Sequence, residues 1–258
     1  MIDRNLHNSQ SYAEMLELAL QNPPQRIALV QGDRRLTYAD LRAQVHDVAR
    51  RLAGLGLQRG DALAQLSSNS LEAVLVQLAS FALGLRYTPL HPLGSIEDHE
   101  YVLKDGEVGA LVFQPSGFLD HARHLSQRCK GVKHLVAHQV CALGRSLWDL
   151  PASKLTLPLK MRGHPDDVVA LLYTGGTSGL AKGVTLTNRA MSTNLLLTLS
   201  GWEWPQDIRF LCSTPITHAT GCMLVPILSR GGTIVLHAGF HAEHFLETIA
   251  EHRIHVTF

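Results

Sequence analysis

The stretch that decides the fold is Leu171-Leu-Tyr-Thr-Gly-Gly-Thr-Ser-Gly-Leu-Ala-Lys-Gly183. An apolar run breaks into small, hydroxylated and glycine residues and closes on Lys182. Glycines let the main chain turn so that several N–H groups converge on an anion, while Thr174, Thr177 and Ser178 add hydroxyl donors and Lys182 adds charge. This is the composition of a loop that holds nucleotide phosphates. It is not a Walker loop, which needs Gly-x-x-x-x-Gly-Lys followed by Ser or Thr. Here Ala181 precedes Lys182 and Gly183 follows it, so no hydroxyl stands beside the lysine to hold magnesium. The Gly-x-Gly-x-x-Gly fingerprint fails as well. Val184-Thr-Leu-Thr187 reads as a second strand, so the loop joins strand to strand instead of opening a helix.

Working outward, the chain alternates helix and strand. Ser11 and Glu14 form a capping-box pattern ahead of a first helix, and 27–31 with 35–37 form a hairpin around Gly32-Asp33. Thr37 caps a second helix whose apolar positions Leu41, Val45, Val48, Leu52 and Leu55 fall at helical spacing, with Gly54 and Gly56 ending it. Strands are expected at 61–66, 86–90, 110–113 and 134–137, with helices at 70–83, from Ser95, and near 118–128. After the strand at 168–173 and its partner at 184–187 come a helix through 194–199 and strands at 209–213, 233–236 and 254–258. Helical stretches at 223–228 and 241–252 separate those strands. This alternation implies an α/β fold with mainly parallel sheets covered by helices. Weak periodicity and Pro151, Pro158 and Pro165 mark 141–165 as a connecting segment between a first lobe, 1–140, and the start of a second, 166–258.

Composition excludes several classes. Over 258 residues the formal charge is +1, so no broad electrostatic footprint exists for nucleic acid or an anionic membrane. The longest apolar stretch, 71–85, is interrupted by Glu72 and Gln77, and the first residues lack the apolar segment of a secretory signal; a cytoplasmic location is expected. Cys129, Cys141, Cys212 and Cys222 lack Cys-x-x-Cys spacing and read as reduced structural thiols. His237, His241 and His244 invite a metal reading, but Gly239 argues against one helix presenting them, and no metal site is assigned.

From Tyr173 to Val184 the loop resembles the phosphate-binding signature of the adenylate-forming superfamily, which includes acyl-CoA synthetases, amino-acid adenylation domains and luciferases. The usual form is Tyr-Thr-(Ser/Gly)-Gly-Thr-(Thr/Ser)-Gly-x-Pro-Lys-Gly-Val, and Ala181 stands here for the proline. Four further segments are similar to family segments in order and spacing: Leu36-Thr-Tyr-Ala-Asp-Leu41, Gly84-Leu-Arg-Tyr-Thr-Pro-Leu-His-Pro92, Pro215-Ile-Thr-His-Ala-Thr-Gly221, and Gly231-Gly-Thr-Ile-Val-Leu236.

The resemblance implies an α/β front part of the family's large amino-terminal domain and a two-step acid–thiol ligation using ATP, Mg2+ and CoA. A carboxylate oxygen attacks the α-phosphorus of ATP and expels pyrophosphate, and a thiol then attacks the acyl adenylate. It assigns Thr174, Gly175, Gly176, Thr177, Ser178, Gly179 and Lys182 to the phosphates, with Lys182 and His218 as the catalytic candidates. His218 falls beside the acid, and Thr217, Ala219, Thr220 and Cys222 line its pocket.

The partners expected are a small carboxylic acid, ATP and CoA, with no nucleic acid and no membrane span. Oligomeric state stays open, a homodimer being one option. The family's adenine, ribose, hinge and adenylation-lysine elements have no counterpart in 1–258, so a truncated front part, inactive alone, is expected. Two alternatives stay open: a carrier-protein-loading adenylation domain, disfavoured by the lack of a Phe-Asp pair near His218, and a noncatalytic nucleotide-binding module.

Overall fold

The computed structural model describes residues 10–158, 164–175 and 181–258. Capping chemistry places the early helices. Ser11 accepts from the Glu14 N–H while the Glu14 carboxylate accepts from the Ser11 N–H at 2.7 Å, opening α1 (Tyr12–Ala19). The same reciprocal pair, Thr37 with Asp40 and Ser95 with Asp98, opens α2 (Tyr38–Gly54) and α4 (Ile96–Asp105). Ser70 caps α3 (Leu71–Leu83), and Gly84 ends it in the left-handed conformation, φ 70°.

Two sheets result. One runs in the order β12 (Val256–Thr257), β10 (Arg209–Cys212), β11 (Thr233–Leu236), β1 (Ile27–Gln31), β2 (Arg34–Thr37). The other runs β7 (Arg145–Ser146), β6 (His134–Ala137), β5 (Ala110–Phe113), β3 (Ala62–Leu66), β4 (Arg86–Leu90), β8 (Val168–Thr174), β9 (Lys182–Thr187). Among the described residues only the hairpins β1–β2 and β8–β9 pair antiparallel; every other neighbouring pair is parallel. The α/β class with mainly parallel sheets is therefore present.

The layers follow from which faces are apolar. Between the sheets, α3 packs against α1 and α2 and reaches β1, β3 and β4, sharing one core with α6 (Asn188–Gly201) and α7 (Ala219–Ser229). Except for Ala82, every α3 residue is buried, as expected of a helix apolar on all faces. The outer face of the seven-stranded sheet is covered by α4 and α5 (Pro115–Arg128) through Val102, Phe118 and Leu125. On the outer face of the other sheet, Phe245 and Ile249 of α8 (Ala242–Glu251) pack on Val30, Leu211 and Val235.

Several local expectations change. Sheet membership crosses the boundary placed at 141–165: β1–β2 lies in the sheet with β10–β12, and β8–β9 joins β4 through Tyr87 and Ala170. That segment is also more than a connector, since it adds β7 to β6 and buries Leu147 and Leu150. Gly54 closes α2 for a packing reason, because a Cβ there would overlap the Pro151 carbonyl, while the positive φ is at Gly56, 89°. The start of α6 falls at Asn188, because β9 runs straight into its cap, Thr187. No described helix is long and apolar enough to cross a membrane.

The Pro151 contact sets an expectation. Gly54→Ala forces two backbones apart and should cost about 1–3 kcal/mol by urea unfolding. Gly201→Ala, at the open end of α6, should be neutral or stabilising by up to about 1 kcal/mol. Equal stability of the two variants would refute the packing role of Gly54.

Candidate active site

The hairpin β8–β9 carries the phosphate-loop residues. Its antiparallel register sets Thr174 opposite Lys182 and Tyr173 opposite Gly183, so threonine and lysine flank the loop mouth. Thr174, Gly175 and Lys182 are exposed, and a Cβ on Gly175 would meet open space. Among the described residues Lys182 has no hydrogen-bond or ion-pair partner. Gly176, Thr177, Ser178 and Gly179 lie outside the described residues.

Two residues of the same stretch anchor the loop. Tyr173 donates its hydroxyl to Asp105 at 2.6 Å, tying the hairpin to the end of α4, and its ring meets Tyr101 edge-on at 6.3 Å. Burial and the Asp105 carboxylate raise the Tyr173 hydroxyl above its ordinary pKa, so it stays a donor. Gly183 makes room for that ring, since a Cβ there would sit 3.2 Å from a Tyr173 ring carbon and 3.0 Å from Leu171.

His218 stands at the N-cap of α7, exposed, with Nδ1 3.1 Å from the Thr217 hydroxyl. The segment before it is clamped from the other sheet. Asn69, just after β3, donates to the Thr214 carbonyl at 2.8 Å and accepts from the Ile216 N–H at 2.9 Å. The His91 ring, beyond β4, packs edge-on against His218 with centroids 5.6 Å apart. His91 is in turn held from α4, where His99 Nε2 lies 3.0 Å from the His91 carbonyl. That oxygen only accepts, so His99 carries its proton on Nε2, and Nδ1 accepts from His121 Nε2 at 3.0 Å.

The expected acid-pocket residues divide between two spaces. Thr217, His218 and Cys222 line a cavity of about 20 Å³ shared with Leu172 of β8 and Leu186 of β9, which brings the hairpin and the histidine segment together. His218, Ala219 and Thr220 line an open depression of about 510 Å³ with His91 and Thr214. His218 faces both. Asn69, Gln77, His91 and His99 were not singled out from the sequence. An asparagine before a cap serine reads as ordinary turn chemistry, and its partners stand more than 140 residues away.

Behind β4, a buried relay is fixed in the neutral state. Tyr87 donates to Gln65 Oε1 at 2.7 Å, which turns the Gln65 amide nitrogen toward His138 Nε2 at 3.2 Å. His138 must therefore accept. Its burial, against a smaller opposing pull from Glu72, takes its pKa down to about 4. His99 falls to about 4 through burial first and His121 second.

The family is now decided by sequence as well as by shape. A family model for AMP-binding enzymes matches residues 16–258. The chain belongs to that family. It is 33% identical over 252 residues to a medium/long-chain fatty-acid–CoA ligase of Mycobacterium tuberculosis, covering 93% of this chain and 43% of that one. It is 30% identical over 237 residues to a 2-succinylbenzoate–CoA ligase of Bacillus licheniformis, covering 90% and 46%. Among solved structures, an amide bond synthetase of Marinactinospora thermotolerans superposes with a TM-score of 0.82 at 26% identity, covering 95% of this chain and 48% of that one. The chain spans about half the length of these relatives.

The depressed histidines give a pH dependence. The folded state binds fewer protons than the unfolded state between about 6.5 and about 4, so stability is full above 6.5 and falls as pH drops through that window. Each group contributes at most about 1.4 kcal/mol per pH unit there. Urea midpoints of the wild type should decline from pH 7 to 5, and His138→Asn should flatten the slope; parallel slopes would remove His138 from the effect.

Proposed function

We propose that this chain is the front part of an acid–thiol ligase that activates a carboxylic acid with ATP and passes the acyl group to the thiol of CoA. The observation that carries the reading is the shared wall: the hairpin that presents Thr174, Gly175 and Lys182 and the segment that presents His218 line one cavity. In the first step a carboxylate oxygen bonds to the α-phosphorus of ATP and the bond to the β-phosphate oxygen breaks, releasing pyrophosphate. In the second the CoA thiol gives up its proton to solvent, its sulfur bonds to the acyl carbon, and the bond from that carbon to the phosphate oxygen breaks, so that AMP leaves.

A carboxylate is a weak nucleophile, so rate comes from alignment and from neutralising the leaving group. Lys182 and the main-chain N–H and hydroxyl of the Thr174–Gly175 end serve the departing diphosphate, together with Gly176, Thr177, Ser178 and Gly179. His218, with its ring set by Thr217 and His91, lies beside the acid. Thr217 and Cys222 bound the acid on the inner side, and Ala219 and Thr220 on the open side. Mg2+ accompanies the triphosphate, and no residue of this chain is assigned to it. The reading includes a cytoplasmic location and leaves room for a homodimer. Both named ligase relatives act on carboxylates and CoA by name, which supports CoA over a carrier protein as acceptor.

In the full-length protein, Lys182→Ala should slow acid-dependent ATP–pyrophosphate exchange by about 100-fold or more, the size of a lost charge-stabilising donor. His218→Ala should weaken use of the acid while leaving the melting temperature near that of the wild type, because the ring is exposed. Undiminished exchange in Lys182→Ala would exclude the hairpin from the chemistry. Acyl transfer to a carrier protein but not to CoA would replace the acceptor.

A further inference from the structure

Among the apolar residues of α3, Gln77 is the exception that the core does not explain. It is buried, 4% exposed, at the middle of a helix enclosed between two sheets. Its amide nitrogen donates to the Gly221 carbonyl at 3.1 Å, which fixes the orientation of the amide. The other end, Oε1, is buried and has no hydrogen-bond partner among the described residues. Gln77 lines the same cavity of about 20 Å³ as Thr217, His218 and Cys222. An idle acceptor in a core costs stability, and a leucine or methionine would fill the same helix position without that cost.

The rest of the lining leaves that acceptor to the ligand. Phe81, Pro89, Leu172, Leu186 and Met191 present apolar surface, the Tyr87 hydroxyl is given to Gln65, the Thr217 hydroxyl is engaged with His218, and the Cys222 thiol, a weak donor, makes no bond to the Gln77 oxygen. A space of this size holds about one water-sized group, but a water needs two to four polar partners and finds few here. A hydroxyl or N–H carried in on a larger molecule needs only the one acceptor. His218 lines both the open depression and this cavity, so an acid with its carboxylate beside His218 would point its far end toward the wall that Gln77 lines.

We propose that Gln77 is a specificity-determining residue whose Oε1 selects compact, mainly apolar acids bearing a hydrogen-bond donor at the end away from the carboxylate. This deepens the acid-activation reading and rests on it. Rejection of the donor-free analogue follows because that analogue leaves a buried acceptor unpaired, whereas an extra methylene in an apolar pocket discriminates weakly.

The test uses size-matched acids in ATP–pyrophosphate exchange by the full-length enzyme: 4-hydroxybenzoate with 4-methylbenzoate, 3-(4-hydroxyphenyl)propanoate with 3-(4-methylphenyl)propanoate, and 6-hydroxyhexanoate with heptanoate. In at least one pair the hydroxyl member should have a kcat/KM at least about tenfold higher. Gln77→Met should bring that ratio to within about twofold, through loss on the hydroxyl acid alone. If Gln77→Met melts early, Gln77→Asn, which draws the amide back by one methylene, should lower the ratio in the same direction. Equal or methyl-favouring ratios in every pair, or a hydroxyl preference that survives both variants, overturn the role of Gln77 while leaving acid activation standing. Exchange with no acid at all overturns both.

Discussion

Everything at the site depends on one helix being held between two sheets. Because α3 is apolar on every face, it can be satisfied only by covering it on both sides, and that requirement sets the sheets face to face across it. The distance between the sheets is then the width of a helix layer, which determines what can span it. Asn69, one residue before the α3 cap, crosses to Thr214 and Ile216, and Gln77, two turns along, crosses to Gly221. The segment carrying His218 is thus pinned twice from the α3 layer, by amide side chains just before the helix and at its middle. A shift of α3 by one turn would move both clamps off their partners together.

The local elements were legible because their causes are local. Serine or threonine with an acid three residues on, as at Ser11, Thr37 and Ser95, states where a helix begins, and a strand pair around a glycine-rich bend states a hairpin. The exposed half of the site was legible for the same reason, since the spacing of Thr174 and Lys182 around a short loop leaves them opposite each other. The buried half was not. His91 meets His218 from 127 positions away, and Gln77 meets Gly221 from 144, so no window of sequence contains either pair. Gly54 shows the same limit in reverse: its place at a helix end suggested backbone freedom, while its actual constraint is Pro151, far along the chain.

The two halves of the site also differ in what they offer a ligand. At the hairpin mouth the groups are donors and a cation in water, where attraction to an anion is long-ranged but screened. Deeper in, two histidines are neutral. His99 and His138 are held below their ordinary pKa by burial, and each has one ring nitrogen committed as an acceptor. The polarity of the site therefore runs from an exposed positive mouth to an uncharged interior that includes the unpaired oxygen of Gln77. In the proposed reading the diphosphate meets the positive mouth and the acid's carboxylate lies beside His218, so a neutral, donor-tipped tail is the part of the acid suited to the uncharged cavity, and reversing the acid would bury its charge there.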